Sequence, residues 1–138
     1  MTHTKHEGLL CTFKVAMEWK QYVEAFFWQD TECLRRVTGE KNAAALARQG
    51  DYACTISGSE EVLKLPRKFG EVHFTINEMG AGYVAHELQH IMLYYIQALK
   101  LDLEKEDERI CHLFGCMTCD FWKSFYENFE EVKSGPKG

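Results

Sequence analysis

The strongest periodicity in the chain lies between Val84 and Leu99. Val84, Leu88, Ile91, Met92, Tyr95, Ala98 and Leu99 recur at three- and four-residue steps, which lays one apolar stripe along a helix. The pattern predicts a helix from the turn at Gly80 and Gly82 to about Lys100. A second stripe, formed by Ile110, Leu113, Phe114, Met117, Phe121, Phe125 and Phe129, predicts a last helix over residues 105–130. Between these and the first half of the chain, residues 71–77 alternate strictly. Val72, Phe74 and Ile76 fall on one face of a strand and Glu71, His73, Thr75 and Asn77 on the other.

The first half is patterned less sharply. Residues 9–15 alternate as a short strand, with Leu9, Cys11, Phe13 and Val15 on one side. Residues 22–29 are rich in β-branched and aromatic side chains and read as a strand, although 16–27 can also be drawn as a helix. Asp30 or Thr31 suits the N-cap of a helix that carries Cys33, Leu34 and Val37 and stops near Gly39. The alanines of 42–48 suggest a further turn or two of helix, and 52–57 reads as a strand, followed by a polar turn and residues 62–65. The expectation is one α+β domain over 1–138, with 1–8 and 132–138 as loose tails. An antiparallel or mixed sheet is covered by the two long helices.

Composition narrows the class. The chain has 138 residues, 46% of them hydrophobic, and only two prolines, which favours a folded globule over a disordered chain. A net charge of −5 and the lack of a basic stripe argue against nucleic acid as a partner, and the apolar runs are too short to span a bilayer. Six cysteines follow a polar start, Met-Thr-His-Thr-Lys-His, so reduced thiols in a cytoplasm are expected. Cys11, Cys33 and Cys54 read as core thiols. His112, Cys116 and Cys119 share a helix face, but no second cysteine pair of such spacing accompanies them, so Cys111, Cys116 and Cys119 are also assigned to the core.

The candidate chemistry sits in the first helical stripe. Tyr83-Val-Ala-His-Glu-Leu-Gln-His-Ile-Met contains His-Glu-x-x-His, and on a helix His86 and His90 lie one turn apart, where both imidazoles can reach one metal ion. They fall off the apolar stripe, toward a second surface. Hydrolytic zinc usually keeps three protein ligands and an open position, so one more is needed. Glu104, Glu106, Asp107, Glu108, Cys111, His112, Cys116 and Cys119 are the downstream candidates. Glu108 is chosen, because seventeen residues separate it from His90, enough for a tight connection between antiparallel helices. His112, one turn on, would orient Glu108 or a ligand imidazole. The competing reading makes residues 104–108 a solvated acidic helix start favoured by the macrodipole.

With that motif, residues 70–99 resemble the active-site region of zincin metallopeptidases, and a downstream glutamate is similar to the gluzincin branch. The small size resembles the minimal zincin domains of ImmA/IrrE-type proteins and of small phage or prophage proteins. The resemblance implies one Zn²⁺ per chain on His86, His90 and Glu108, with Glu87 as the general base that activates water toward a peptide carbonyl and passes its proton to the leaving amine. It implies that the strand before the helix, through Val72, His73, Phe74 and Thr75, pairs with a protein or peptide substrate. It also implies an oxyanion donor, for which Tyr94, Tyr83 and His73 are the candidates. Two other functions share these residues: a zincin-like interaction module with little or no activity, and an amidase or deacylase acting on a small amide.

Overall fold

The computed structural model describes residues 7–50 and 67–134, with backbone alone over 130–134. The expected strand at 52–57, residues 62–65, Cys54 and most of both tails lie outside the described residues. In chain order the elements are β1 (Leu9–Ala16), β2 (Tyr22–Trp28), α1 (Thr31–Thr38), β3 (Ala45–Gln49), β4 (Lys68–Thr75), a 3-10 turn (Ile76–Glu78), α2 (Ala81–Leu99) and α3 (Asp107–Ser134). The strands form one mixed sheet in the order β1-β2-β4-β3, in which β2 and β4 run parallel and the two outer pairings are antiparallel. The architecture is α+β, as the patterning predicts. Among the described residues no helix is long and apolar enough to cross a membrane.

The two faces of the sheet are covered differently. Val15, Val23, Ala25, Phe27, Val72 and Phe74 point to one side and are sealed by the apolar stripes of α2 and α3. Every predicted stripe residue of α2 is buried, from Val84 to Leu99. Phe27 is fully buried and its ring packs against Phe13, Phe74, Phe121, Phe125 and Phe129 at centroid distances of 5.1–5.9 Å. On the other side Trp28, Cys33 and Leu34 form a smaller cluster under α1, joined by Phe26, Val37 and Leu46. Asp30 caps α1 by accepting from the Cys33 backbone N–H at 2.9 Å, and Gly39 ends it in the left-handed region at φ 80°.

Three sequence expectations are corrected. Residues 42–48 are not helical: 45–49 form β3, because Leu46 and Arg48 face the α1 side while the small Ala45 and Ala47 face α2, and pairing with β4 overrides alanine's helix propensity. Gly70 lets these strands approach; a Cβ there would stand 2.5 Å from the Arg48 carbonyl oxygen. The alternative helix over 16–27 is likewise absent, since β1 and β2 form a hairpin. Finally, β4 is no sheet edge. It pairs along its length with β2 and along Phe74 to Gly70 with β3, so Val72, His73 and Phe74 are flanked on both sides and have no free backbone edge to offer a substrate, and Thr75 ends the strand beyond the β3 pairing.

The hairpin turn is strained. Trp19 and Lys20 both have positive φ, 57° and 70°, in a turn closed by Met17 N–H donating to the Gln21 oxygen and Gln21 N–H to the Glu18 oxygen. Both side chains are exposed. Lys20→Gly is expected to stabilise the fold by about 0.5–1 kcal/mol, read as a rise in the urea midpoint; an unchanged or lower midpoint would show that the turn stores no strain. Glu18 beside it accepts hydrogen bonds from Arg109 and from the Tyr95 hydroxyl, at 2.9 Å for the latter. This ties the hairpin to both long helices.

His73 lies on the α1 face of the sheet, 2% exposed. Trp28 Nε1–H donates to its Nδ1 at 3.0 Å and its Nε2 meets Glu71 Oε1 at 2.8 Å, so the neutral ring with its proton on Nε2 satisfies both contacts. The hydrogen bond to His73, helped by Lys68, holds the Glu71 carboxyl down at about 2, while burial holds the His73 imidazole below its usual range. Both folded-state values are depressed. Their stability is therefore present above the ordinary pKa values and is lost as pH falls, through histidine's range first and then from about 4.5 toward 2. Glu71→Gln is expected to remove the lower part of that acid sensitivity, about 1–2 kcal/mol after solvent screening, in urea titrations between pH 5 and 2.5.

Candidate metal centre

The first turns of α2 carry the site. Gly80 supplies an extended N-cap without a side-chain cap, and the helix then presents Val84, Leu88, Ile91 and Met92 to the core. One register step round, Glu87 is buried too, while His86 is exposed and His90 half-buried. The apolar stripe thus fixes the rotation of α2 and turns the histidine pair toward β3.

The geometry suits one cation. His86 Nε2 and His90 Nε2 are 3.2 Å apart, and a tetrahedral zinc with its usual Zn–N lengths sets two imidazole nitrogens ~3.3 Å apart. A ligand oxygen of Glu87 and a ring nitrogen of each histidine all lie within 4.8 Å of one another. Among the described residues this is the one such group. Burial pushes the Glu87 carboxyl above its ordinary value, and the two neighbouring imidazoles pull it partly back. A carboxylate made more basic in this way, beside two imidazole nitrogens, is suited to taking a proton from water.

The group opens onto a cleft of about 690 Å³. One wall is α2, through His86, Glu87, His90 and Tyr94; the other is β3 and the loop before it, through residues 39–43 and 45–48. Tyr94 lies one turn beyond His90, its ring nearly parallel to the imidazole at 6.1 Å. Tyr83 is exposed and lines a smaller hollow of about 410 Å³ that shares His86 and Glu87. Glu40 is the one carboxylate besides Glu87 that lines the main cleft among the described residues.

The other candidates are placed elsewhere. Glu108 is not part of the histidine group and does not line the cleft. After His90 the chain completes α2 to Leu99 and crosses residues 100–106 before α3 begins, so Glu108 starts level with the far end of α2. Arg109 beside it shares Glu18 with Tyr95, more than a turn past His90 and on the buried side. Glu108 is instead an exposed acid in the first turn of α3. His112 orients neither Glu108 nor a ligand imidazole; its Nε2 faces Cys116 Sγ at 3.5 Å on the exposed face of α3. Cys111, Cys116 and Cys119 are exposed there too, which corrects their assignment to the core: the apolar stripe of Leu113, Met117 and Phe121 takes the buried side and turns them outward. His73 is excluded as an oxyanion donor, because it lies on the opposite face of the sheet with both ring nitrogens engaged.

Sequence reasoning missed β3 and the loop before it. The signal was available in the alternation of Leu46 and Arg48 against Ala45 and Ala47, closed by Gly50. Alanine content outweighed it.

The chain matches no protein-family model, no curated protein and no solved structure.

Proposed function

We propose that the protein is a zinc-dependent peptidase whose metal is held by His86 and His90 and whose general base is Glu87. The observation that carries this reading is the 3.2 Å separation of the two Nε2 atoms, with a buried carboxylate beside them at the floor of an open cleft. Bound zinc supplies Lewis acidity that brings the pKa of a coordinated water toward neutrality. Glu87 accepts a proton at its carboxylate and returns it to the leaving amine. Tyr94, on the same wall, is the residue that would donate its hydroxyl to a substrate carbonyl oxygen. Glu40, on the opposite wall, is the carboxylate available to the remaining ligand positions.

The strand that replaces β4 as the docking rail is β3. It borders the cleft, and among the described residues its one strand neighbour is β4. An extended peptide laid along Ala45–Gln49 would run past His86 and His90 and gain main-chain hydrogen bonds without needing a large lobe to grip it. The small side chains of Ala45 and Ala47 leave room for it.

The test is incubation of the zinc-loaded chain with a degenerate peptide library, with cleavage sites mapped by mass spectrometry. The reading expects chelator-sensitive cleavage that zinc restores. Binding of peptides without cleavage by a metal-loaded chain would favour the interaction module, and hydrolysis of small acyl-amides alone would favour the amidase.

A further inference from the structure

We propose that His73 is a proton-sensitive latch behind the cleft: its neutral ring holds the wall made by β3 and the end of α1 in place, and a proton on Nδ1 releases it. The inference concerns the wall and stands whether or not the cleft hydrolyses peptides.

The latch is a chain of contacts that runs from the sheet to the cleft. The Trp28 indole N–H donates to His73 Nδ1 at 3.0 Å, the ring's Nε2 meets Glu71 Oε1 at 2.8 Å, and Arg48 donates to the same oxygen at 3.4 Å. Arg48 also donates to the Thr38 carbonyl oxygen at the end of α1. Phe26 lies nearly parallel over the imidazole, with ring centroids 4.5 Å apart. Trp28 packs in turn with Cys33 and Leu34 of α1. Ala43 and Leu46 join that cluster and also line the cleft, as Arg48 does. The wall is therefore backed by the contacts of one imidazole.

Those contacts fit one protonation state. With the proton on Nε2, the Nδ1 lone pair accepts from the indole and Nε2 donates to Glu71. A second proton must go on Nδ1, where it sets two donors against each other at 3.0 Å around a ring only 2% exposed. Glu71 favours the charged ring, but its carboxylate already serves Lys68 at 2.7 Å and Arg48, and both cations oppose a further positive charge. On β2, Glu24 holds Lys68 at 3.0 Å. From α1 the cluster receives Cys33 and Leu34, while Arg35 is turned to the Ala43 carbonyl oxygen and Arg36 to Glu7. Asp30, bound to the Cys33 N–H, is held below its usual range and stays ionised as the histidine titrates. The charged ring is relieved by moving toward water, and the wall loses its anchor as it goes. Burial keeps the ring below histidine's ordinary value of 6.5, so the latch is closed above that value and opens as pH falls through the lowered one.

Hydrogen exchange of the full-length chain, followed by mass spectrometry from pH 7.5 to 5 and corrected for the intrinsic rate, tests this. In the wild type the protection of residues 31–49 is expected to fall at least tenfold over that range while α2 keeps its own. His73→Asn, whose amide oxygen accepts from the indole but takes no proton, should flatten the step. Trp28→Phe, which removes the opposing donor, should shrink it, and either variant alone decides the assignment. Both leave His86, Glu87 and His90 in place, so a step caused by those groups across the cleft would persist in them. A flat wild-type profile, a step undiminished in a folded variant, or a loss of protection in all elements together overturns the latch. Cleavage plays no part in the readout, so an inactive chain that shows the step would count against the peptidase reading alone.

Discussion

A Glu87→Gln chain is expected to bind zinc within a few-fold of the wild type and to cleave any peptide substrate 10²–10⁴-fold more slowly. The amide keeps the shape of the carboxylate and leaves His86 and His90 in place, but it cannot accept the proton. A second consequence follows from burial. Glu87 is 6% exposed and its carboxyl is raised by desolvation, so in the metal-free chain its ionised form costs stability at neutral pH. A group with a raised folded-state pKa favours the fold below its ordinary value and opposes it as pH climbs through the raised one. Metal-free Glu87→Gln should therefore melt slightly higher than the wild type at pH 7.5, and the gap should close near pH 4. A variant that loses metal, activity and stability together would make Glu87 a structural residue.

Phe27→Ala should be the most damaging single truncation in the core. Phe27 is fully buried and touches rings from β1, β4 and α3, so no neighbour can collapse into the space it leaves without breaking another aromatic contact. A loss of about 3–5 kcal/mol is expected, a large share of the total for a domain of this size. In a thermal melt that is a fall of roughly 10–20 °C. Leu93→Ala, on the exposed face of α2, is the control and should cost less than about 0.5 kcal/mol. A Phe27→Ala midpoint within a few degrees of the wild type would mean that the sheet and the long helices are not held together through this cluster.

Both long helices were legible because each combines a long 3.6-residue period with a clear end. The α2 stripe fixed which side of the helix His86 and His90 occupy, and so the existence of a histidine-bearing second surface. Asp30 and Gly39 likewise announced α1 from both ends through their capping chemistry. What failed were relations between elements. Strand order is not written in any single strand: residues 71–75 look the same whether β4 is an edge or a centre, and only the pairing of β3 decides it. Glu108 failed for a similar reason. Spacing in sequence permitted a return to the histidines, but the remaining length of α2 carried the chain away before it turned. The cysteines of α3 were judged by the average habit of the residue type, although their positions between Leu113, Met117 and Phe121 already placed them on the opposite face.

The central claim is that the two imidazoles of α2 share one cation. A crystal of the zinc-loaded chain, with diffraction recorded on either side of the zinc absorption edge, measures this directly. The account predicts an anomalous peak ~2.0–2.1 Å from both His86 Nε2 and His90 Nε2, with the Glu87 carboxylate beside it and facing the β3 wall. No peak between those nitrogens in a crystal that holds zinc elsewhere, or side chains turned to separate surfaces, would contradict it.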